Sequence, residues 1–293
     1  MTDLDTLLIG LKAAAEVTNE QLAETNAILL GNVANNRAML YPYSHMMMFA
    51  DGVFPGAGGY ELRSVSDPWG TGHNLVLLGA SDLTLGAPYL AYMRQDSAFA
   101  AGEVVSQRVI GRLLADLFDA VVTVDPHLHR VATLAEAIPL ARVVALSAAP
   151  LIGHFVAMRG RSPMLVGPDA ESAQWVHVAA TFNGLPWAVC RKTRHGDTEV
   201  EVELPAGQIE GREVVLVDDV ASSGHTLAAA SRALLAAGAA RVDAVVTHAV
   251  LAAQAGATLK AAGISEFWST DTVPHESNAL SVAPLIADAL RPA

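Results

Sequence analysis

Cysteine is almost absent from this sequence, which has only Cys190. A single cysteine excludes a disulfide framework and a zinc site made of cysteines, and it is typical of a protein of the reducing cytoplasm. Basic residues are also scarce, since 18 Lys and Arg face 30 Asp and Glu, and the net charge is −12. General nucleic-acid binding is therefore not expected, because it requires basic patches that neutralise phosphates.

A long apolar run is also missing, because no uninterrupted stretch reaches the length that spans a bilayer. The N-terminal stretch MTDLDTLLIG has acidic residues where a secretory signal has basic ones. We therefore expect a cytoplasmic protein without a membrane partner. Apolar residues make up 52% of the 293 residues, which is enough for two domains with well-filled cores.

Short apolar runs alternate with alanine-rich helical windows along most of the chain. The runs predicted as buried strands cover residues 74–81, 120–127, 142–150, 163–169, 187–192, 213–220 and 241–250. The helical windows cover residues 104–118, 170–184 and 225–240. This alternation predicts an α/β fold with mostly parallel sheets, in which functional residues gather at the carboxyl ends of strands.

The stretch VVLVDDVASSGHTL, residues 214–227, joins an apolar strand to two acids and then to a loop of small residues. Amides of such a loop, together with the N-terminus of the next helix, suit a phosphate group. The candidate phosphate ligands are Ser222, Ser223, Gly224 and Thr226. Carboxylates would repel a phosphate, so we assign Asp218 and Asp219 to ribose hydroxyls. The alternative, an ordinary strand and a capped helix, would leave two buried acids unsatisfied.

This stretch resembles the phosphoribosyl-diphosphate-binding signature of type I phosphoribosyltransferases, which ribose-phosphate diphosphokinases share. Further segments resemble the diphosphokinases and occur in family order between about Pro88 and Leu290. They are PYLAYMRQDSAF (88–99), TVDPHLH (123–129), VGPDAESAQWV (166–176), RKTRHGDTEVEVELP (191–205) and STDTVPHES (269–277). Together the ordered motifs are far more specific than any one of them alone.

The resemblance implies a role for each segment. Arg94, Gln95 and Asp96 would contact ATP, and His127 would help to bind magnesium-ATP. Asp169 would lie near the diphosphate and the magnesium ion. The pair assigned to a mobile catalytic loop is Lys192 and Arg194.

The same resemblance implies transfer of the β,γ-diphosphoryl group of ATP to the anomeric hydroxyl of ribose 5-phosphate, with Mg²⁺ as cofactor. It also implies a homo-oligomer built from two tandem phosphoribosyltransferase-type domains. Residues 1–141 would form the ATP side and residues 142–293 the ribose 5-phosphate side. The partners expected are thus ATP, ribose 5-phosphate and other copies of the chain.

The N-terminal region departs from the family pattern. FADGVF (49–54) has Val53 where the family has a glutamate, and Ser97 stands where a basic residue is usual. The short distance from the run at 74–81 to Pro88 also leaves no room for a crossover helix, which needs about ten residues or more. We expect an abbreviated or rebuilt first domain and weak ATP binding.

Other interpretations stay open at this point. A phosphoribosyltransferase that consumes phosphoribosyl diphosphate, or a non-catalytic regulatory paralogue, would share part of the pattern. Residues 94–96 would then be a surface turn, Lys192 and Arg194 a solvated face, and His127 and His129 structural histidines. The histidines lack a tight spacing pattern with one another or with acids, so no zinc cage is expected.

Overall fold

The computed structural model describes residues 27–30, 60–65, 75–80, 83–98, 100, 102–159, 162–195, 199–203 and 209–290. Only the backbone is described for residues 27–30, 60–65, 75–80, 191–195 and 199–203. The FADGVF segment therefore lies outside the described residues. The chain divides into two compact units, Met1–Leu85 with Leu113–Ala120, and Gly86–Arg112 with Val121–Ala293. The domain boundary expected between residues 141 and 142 stays a prediction.

The first unit contains a three-stranded sheet. Its strands are β1 (Ala27–Leu30), β2 (Tyr60–Val65) and β3 (Leu75–Ala80). The order is β1-β3-β2, with β1 and β3 parallel and β2 and β3 antiparallel. Only residues 81–83 separate β3 from the next strand, too few for a crossover helix. The expectation of a rebuilt first domain otherwise falls mostly on residues outside those described.

The later strands have the following bounds. They are β4 (Thr84–Ala87), β5 (Ala120–Val124), β6 (Arg142–Leu146), β7 (Met164–Gly167), β8 (Trp187–Val189), β9 (Arg191–His195), β10 (Glu199–Glu203), β11 (Glu213–Ala221), β12 (Arg241–Ala249), β13 (Ile264–Thr270) and β14 (Asn278–Leu280). The helices are α1 (Ser106–Leu117), α2 (Leu134–Ala137), α3 (Ala149–Ala157), α4 (Ala173–Thr181), α5 (His225–Ala236), α6 (Ala255–Ala261) and α7 (Ala283–Leu290). A 3₁₀ turn, Ala170–Ser172, precedes α4.

The largest sheet has six strands in the order β14-β13-β12-β11-β7-β8, and every neighbouring pair is parallel. A separate sheet has the order β4-β5-β6, and β9 and β10 form an antiparallel ribbon. The predicted α/β fold with mostly parallel sheets is confirmed. Among the described residues, no helix is long and apolar enough to cross a membrane.

Side chains of the central strand β11 alternate between two hydrophobic cores. Val214 and Leu216 pack in the core that includes Leu227 and Leu234 of α5. Val215 and Val217 pack in the other core, which includes residues of α3 and α4. Helices therefore cover both faces of the sheet, which explains why its strands are apolar almost throughout.

Parallel strands bring all their carboxyl ends to one edge of the sheet, which we call the carboxyl edge. Asp169 follows β7 there, Asp218 and Asp219 lie near the end of β11, and Thr247 and His248 lie near the end of β12. We call the opposite edge, where Glu213, Arg241 and Glu266 lie, the amino edge. The expected concentration of polar residues at the carboxyl edge follows directly from this topology.

Candidate active site

Asp218 and Asp219 point to opposite faces of β11, because side chains alternate along a strand. Asp219 is 3% exposed on the face of Val217, and Asp218 is half-buried on the face of Leu216. The Asp219 amide donates to Asp218 Oδ1 at 3.0 Å. The two acids therefore have different surroundings, although one role was predicted for both.

Asp219 meets His127, which lies in the loop after β5. His127 Nδ1 is 2.7 Å from Asp219 Oδ2, although 92 positions separate the two residues in the chain. His129 joins them, with its Nε2 at 3.2 Å from His127 Nδ1 and the ring centroids 3.8 Å apart. One candidate ligand atom from each of the three residues lies within 4.8 Å of the others. The fold thus brings His127 and His129 into contact with Asp219, which is distant from them in the sequence.

The electrostatic states of the two aspartates differ accordingly. Burial raises the pKa of Asp218 well above its usual value, and the negative charges of Asp219 and Asp169 raise it further. Burial alone would also raise the pKa of Asp219, but the hydrogen bond and charge of His127 outweigh it and leave that pKa lowered. The carboxyl edge therefore holds one stabilised carboxylate beside one that is unfavourable when charged.

Asp169 forms the turn after β7. Its Oδ1 accepts hydrogen bonds from the amides of Glu171 at 3.1 Å and Ser172 at 3.4 Å, and it caps the 3₁₀ turn. The Ser172 hydroxyl donates to the Asp169 carbonyl oxygen at 2.6 Å. The turn holds the carboxylate near Asp218, whose pKa its charge raises. Its expected role toward magnesium stays a prediction.

The small-residue loop is a sharp turn from β11 into α5. Gly224 has a φ of 76°, which side chains disfavour, and it immediately precedes the helix. The helix begins at His225, the first residue of the predicted helical window. Ser223 Oγ accepts from the His225 amide at 3.4 Å, and the next amides have no partner within the helix by its geometry. Ser223 is exposed, and Ser222 and Thr226 are half-buried.

The segment expected to contact ATP forms a turn beside the same loop of β5. Arg94 lines a small cavity together with His127, Asp219 and His248. Asp96 instead pairs with Arg130 through a short hydrogen bond. Gln95 accepts at its carbonyl oxygen from the amide of residue 107 at 3.2 Å, which fixes the turn against α1. Arg94 is therefore the member of this group that the fold places next to the histidine and acid cluster.

The backbone of Lys192 and Arg194 lies in β9. Lys192 pairs with Val202 and Arg194 with Val200 of β10. The two residues are two positions apart in this strand. The segment expected to be a mobile loop is thus a strand pair where it is described. Its mobility and its catalytic role stay predictions.

Comparisons with known proteins agree with this geometry. Residues 133–267 match the phosphoribosyl transferase domain family. Ribose-phosphate pyrophosphokinase 2 of Archaeoglobus fulgidus is 39% identical over 201 residues, which cover 69% of this chain and 72% of that protein. The ribose-phosphate pyrophosphokinase of Methanopyrus kandleri is 38% identical over 215 residues, 72% of each chain. The chain belongs to the ribose-phosphate pyrophosphokinase family. The resemblance read from its motifs is therefore confirmed.

A solved structure supports the fold of this pyrophosphokinase family member. Phosphoribosylpyrophosphate synthetase from Mycobacterium smegmatis superposes with a TM-score of 0.64, covering 90% of this chain and 97% of that one. The sequence identity is 21%, so the likeness concerns the fold.

A buried network that was not predicted from the sequence lies behind the His127 loop. Asp125 has a φ of 37°, an unfavourable value for a residue with a side chain, and is 5% exposed. Its Oδ1 accepts from Trp175 Nε1 at 3.0 Å, and its Oδ2 accepts from Thr247 Oγ1 at 2.8 Å and the Ala148 amide at 3.0 Å. Burial raises the pKa of Asp125 despite these donors. These hydrogen bonds hold the turn at Asp125 in place, and the turn positions His127.

His248 supports the same turn from β12. Its Nε2 lies 3.1 Å from the Val124 carbonyl oxygen, which only accepts, so this nitrogen carries the proton. Its Nδ1 lies 2.8 Å from Thr272 Oγ1. Burial lowers the pKa of His248, so the ring is neutral at neutral pH. The polar pair Thr247–His248 near the end of β12 was the available sequence signal, whereas Trp175 gave none.

Proposed function

We propose that this chain transfers the β,γ-diphosphoryl group of ATP to ribose 5-phosphate. The anomeric oxygen attacks the β-phosphorus, the bond from that phosphorus to the α–β bridging oxygen breaks, and AMP leaves with the bridging oxygen. The anomeric proton is released, and phosphoribosyl diphosphate forms. The observation that carries the proposal is the convergence of the Asp219–His127 pair, the α5 N-terminus and Arg94 at one sheet edge of a family member.

The ribose 5-phosphate site would lie at the start of α5. Amides after Gly224 and the positive end of a twelve-residue helix attract the 5-phosphate. The hydroxyls of Ser222, Ser223 and Thr226 add donors. Asp218 and Asp219 would accept hydrogen bonds from ribose hydroxyls, from opposite faces of β11. The raised pKa of Asp218 supports this role, because a hydroxyl donor stabilises a carboxylate that is otherwise unfavourable.

Mg²⁺ is the expected cofactor, and the residues at the edge fit it. Carboxylate oxygens are the ligands that magnesium prefers. A cation here would also relieve the repulsion between Asp218 and the negative charges of Asp219 and Asp169. His127 and Asp169 would hold the ion, which would neutralise charge on the triphosphate. Arg94 would bind the same phosphates, and Gln95 and Asp96 would shape that side of the site. Of the three, Arg94 has the support of a shared cavity with His127.

Lys192 and Arg194 would stabilise charge that develops between the β-phosphorus and leaving AMP. Two basic residues close together in one strand suit this work, because phosphoryl-type transfer depends on positioning and charge neutralisation. Homo-oligomerisation and a cytoplasmic location belong to the same proposal.

One assay tests the function directly. Purified protein is incubated with ATP and Mg²⁺, with and without ribose 5-phosphate, and AMP and phosphoribosyl diphosphate are quantified. We expect equal amounts of both products, and only when the sugar phosphate is present. Consumption of added phosphoribosyl diphosphate with a nucleobase, without AMP release, would establish the phosphoribosyltransferase alternative. Binding of ribose 5-phosphate without any turnover would establish the regulatory alternative.

A further inference from the structure

The segment STDTVPHES, residues 269–277, is the family-like segment that has no role in the proposed reaction. It begins at the end of β13 and runs to the start of β14. Thr272 in this segment is 8% exposed, and its Oγ1 lies 2.8 Å from Nδ1 of His248 in the neighbouring strand β12. The segment therefore contacts the buried ring that supports the loop of His127.

The contacts of His248 fix the position of its ring proton. Burial lowers the pKa of His248, so the ring is neutral at neutral pH and carries one proton. Nε2 lies 3.1 Å from the Val124 carbonyl oxygen and 3.3 Å from the Asp125 carbonyl oxygen, and both of these oxygens only accept. Nε2 is therefore the donor, and Nδ1 must accept.

The Thr272 hydroxyl is the donor that Nδ1 of His248 requires. Thr272 Oγ1 also lies 3.0 Å from the Thr247 carbonyl oxygen, but that oxygen already accepts from Thr270 Oγ1 at 2.6 Å. The proton of Thr272 is thus available to His248. Without this hydroxyl, Nδ1 would be a buried acceptor that lacks a donor, or the proton would move to Nδ1 and leave Nε2 facing two carbonyl oxygens.

His248 in turn contacts two parts of the proposed ATP side. Its Nε2 donates to the turn at Asp125, which has a φ of 37° and precedes His127 by two positions. Its ring lies beside that of Tyr89, with the centroids 4.9 Å apart and an interplanar angle of 57°. Tyr89 and His248 line one small cavity together with Arg94 and His127. A shift of the His248 ring would therefore displace groups that face ATP in the proposed function.

We propose that Thr272 is a positioning residue, whose hydroxyl holds the ring proton of His248 on Nε2 and thereby keeps the His127 turn in the geometry that binds ATP. The inference rests on the proposed function and deepens it, because it connects the segment 269–277 to the ATP side of the site. Thr272 acts through His248 rather than through a contact with substrate.

The first test locates the ring proton without any substrate. Full-length protein labelled with ¹⁵N in histidine gives long-range ¹H–¹⁵N spectra that distinguish the neutral tautomers, and the signals missing from His248→Gln identify His248. We expect the proton on Nε2 in the wild type and in Thr272→Ser, and a loss of this state in Thr272→Val. A wild-type proton on Nδ1, or an unchanged tautomer in Thr272→Val, would overturn the proposal.

The second test compares the two substrates. In Thr272→Val we expect the KM for ATP to rise about tenfold and the KM for ribose 5-phosphate to change by less than about twofold, since only the ATP side is displaced. Thr272→Ser restores the hydroxyl and should return both values to the wild-type range. The matched control is Ser231→Ala, which removes another buried hydroxyl, one that donates to the Ala262 carbonyl oxygen at 2.9 Å. It should leave both KM values unchanged.

Equal rises in the two KM values, no rescue by serine, or the same change in Ser231→Ala would refute a specific positioning role. Circular dichroism verifies that Thr272→Val is folded. Should it unfold, two variants of His248 decide the matter, because the amide nitrogen of glutamine can replace Nε2 and that of asparagine can replace Nδ1. His248→Gln should keep a lower KM for ATP than His248→Asn, and equal values or the reverse order would contradict the proposal.

Failure of the proposed function is distinguishable from failure of this inference. If no AMP is released, calorimetric titration with ATP and Mg²⁺ still measures ATP binding. Weaker ATP binding by Thr272→Val, together with its changed tautomer, would then support the positioning role while the diphosphokinase reaction is refuted. AMP release with the same KM for ATP in the wild type and Thr272→Val would do the reverse.

Discussion

The amino edge and the carboxyl edge of the six-stranded sheet use charge in opposite ways. At the amino edge, Arg241 Nε lies 2.9 Å from both carboxylate oxygens of Asp243, and Arg241 Nη2 lies 2.9 Å from Glu266 Oε1. Arg159 Nη2 lies 3.2 Å from the other oxygen of Glu266, and Arg159 Cζ lies 4.3 Å from the centroid of the Trp268 ring. The hydrogen bond from Arg241 to Asp243 raises the pKa of Arg241. These charges are balanced by one another.

At the carboxyl edge, acids gather beside neutral or partly buried histidines. Asp218 carries a raised pKa because it is buried next to Asp219 and Asp169. Like charges held together store an unfavourable free energy that a cation or a hydroxyl-rich ligand can relieve. The paired charges of the amino edge therefore stabilise the fold, whereas the crowded acids of the carboxyl edge destabilise it and favour ligand binding. Substitutions at the two ends should therefore separate activity from stability.

The largest effect is expected for Lys192→Ala. Loss of a cation that acts mainly in the transition state should lower kcat by about 100- to 1,000-fold and leave ribose 5-phosphate affinity and melting temperature nearly unchanged. Initial rates and calorimetric titration measure this. Lys260→Ala on α6 is the control, since Lys260 is an exposed lysine of a helix outside the site. Wild-type turnover in Lys192→Ala would remove the ribbon from the mechanism.

Asp243→Ala should give the converse result at the amino edge. It leaves Arg241 without its two-oxygen partner and the Glu266 amide without its acceptor. We expect about 2 kcal/mol lower free energy of unfolding, less than for a fully buried pair because the Arg241 side chain is 27% exposed. Urea unfolding measures it, with exposed Asp116→Ala as the control. A large drop in kcat for Asp243→Ala without a loss of stability would contradict the assignment of stability to the amino edge and activity to the carboxyl edge.

Gly224→Ala tests the phosphate turn. Alanine is strained at a φ of 76°, and its Cβ would lie 3.1 Å from Leu259 Cδ2. We expect the free energy of unfolding to fall by about 1 to 2 kcal/mol. The KM for ribose 5-phosphate should rise over the wild-type value by a larger factor than the KM for ATP. Gly256→Ala in α6 is matched, because its Cβ meets nothing within 4 Å and its φ is not positive. That variant should be neutral or slightly more stable; equal behaviour of the two variants would contradict the role of the turn.

The smallest effects are expected at the carboxyl edge, where Asp218 and Asp219 should respond to substitution in opposite directions. Asp218→Asn should raise the free energy of unfolding at neutral pH by about 1 kcal/mol, while it weakens ribose 5-phosphate binding. The raised pKa means that charged Asp218 opposes folding at high pH, so the gain should shrink as pH falls through that pKa. Asp219→Asn should lower stability instead, because the lowered pKa of Asp219 marks a carboxylate whose charge favours folding until pH falls through it. Unfolding curves at several pH values check both signs.

Local patterns predicted much of the fold. One continuous stretch of sequence contains strand β11, the turn at Gly224 and helix α5. Local propensity and the run of small residues were therefore sufficient to predict all three. The apolar run at 142–150 predicts one strand, but the strand ends at Leu146 and Ala149–Ala157 is a helix. A buried strand and a buried helix look alike in an apolar run. Pro150, in the first turn of α3, was the signal for the helix.

The arrangement of the site was predictable only in part. That Asp219 and His127 would lie at strand ends followed from the parallel topology, whereas their direct contact depends on how β5 and β11 are packed. The position of His129 depends on the turn at Asp125, whose unfavourable φ no local preference predicts. Trp175 donates to Asp125 across 50 positions, and only the packing of α4 brings it there.

The hydrogen bonds of Asp125 also set an order of events during synthesis. Its carboxylate partners lie 23, 50 and 122 positions later in the chain, at Ala148, Trp175 and Thr247. The loop that carries His127 thus leaves the ribosome long before the strand that holds it has been translated. A nascent chain stopped short of β12 contains most of the recognisable motifs and still lacks the support that aims His127. The carboxyl edge is therefore completed only after β12 has been synthesised.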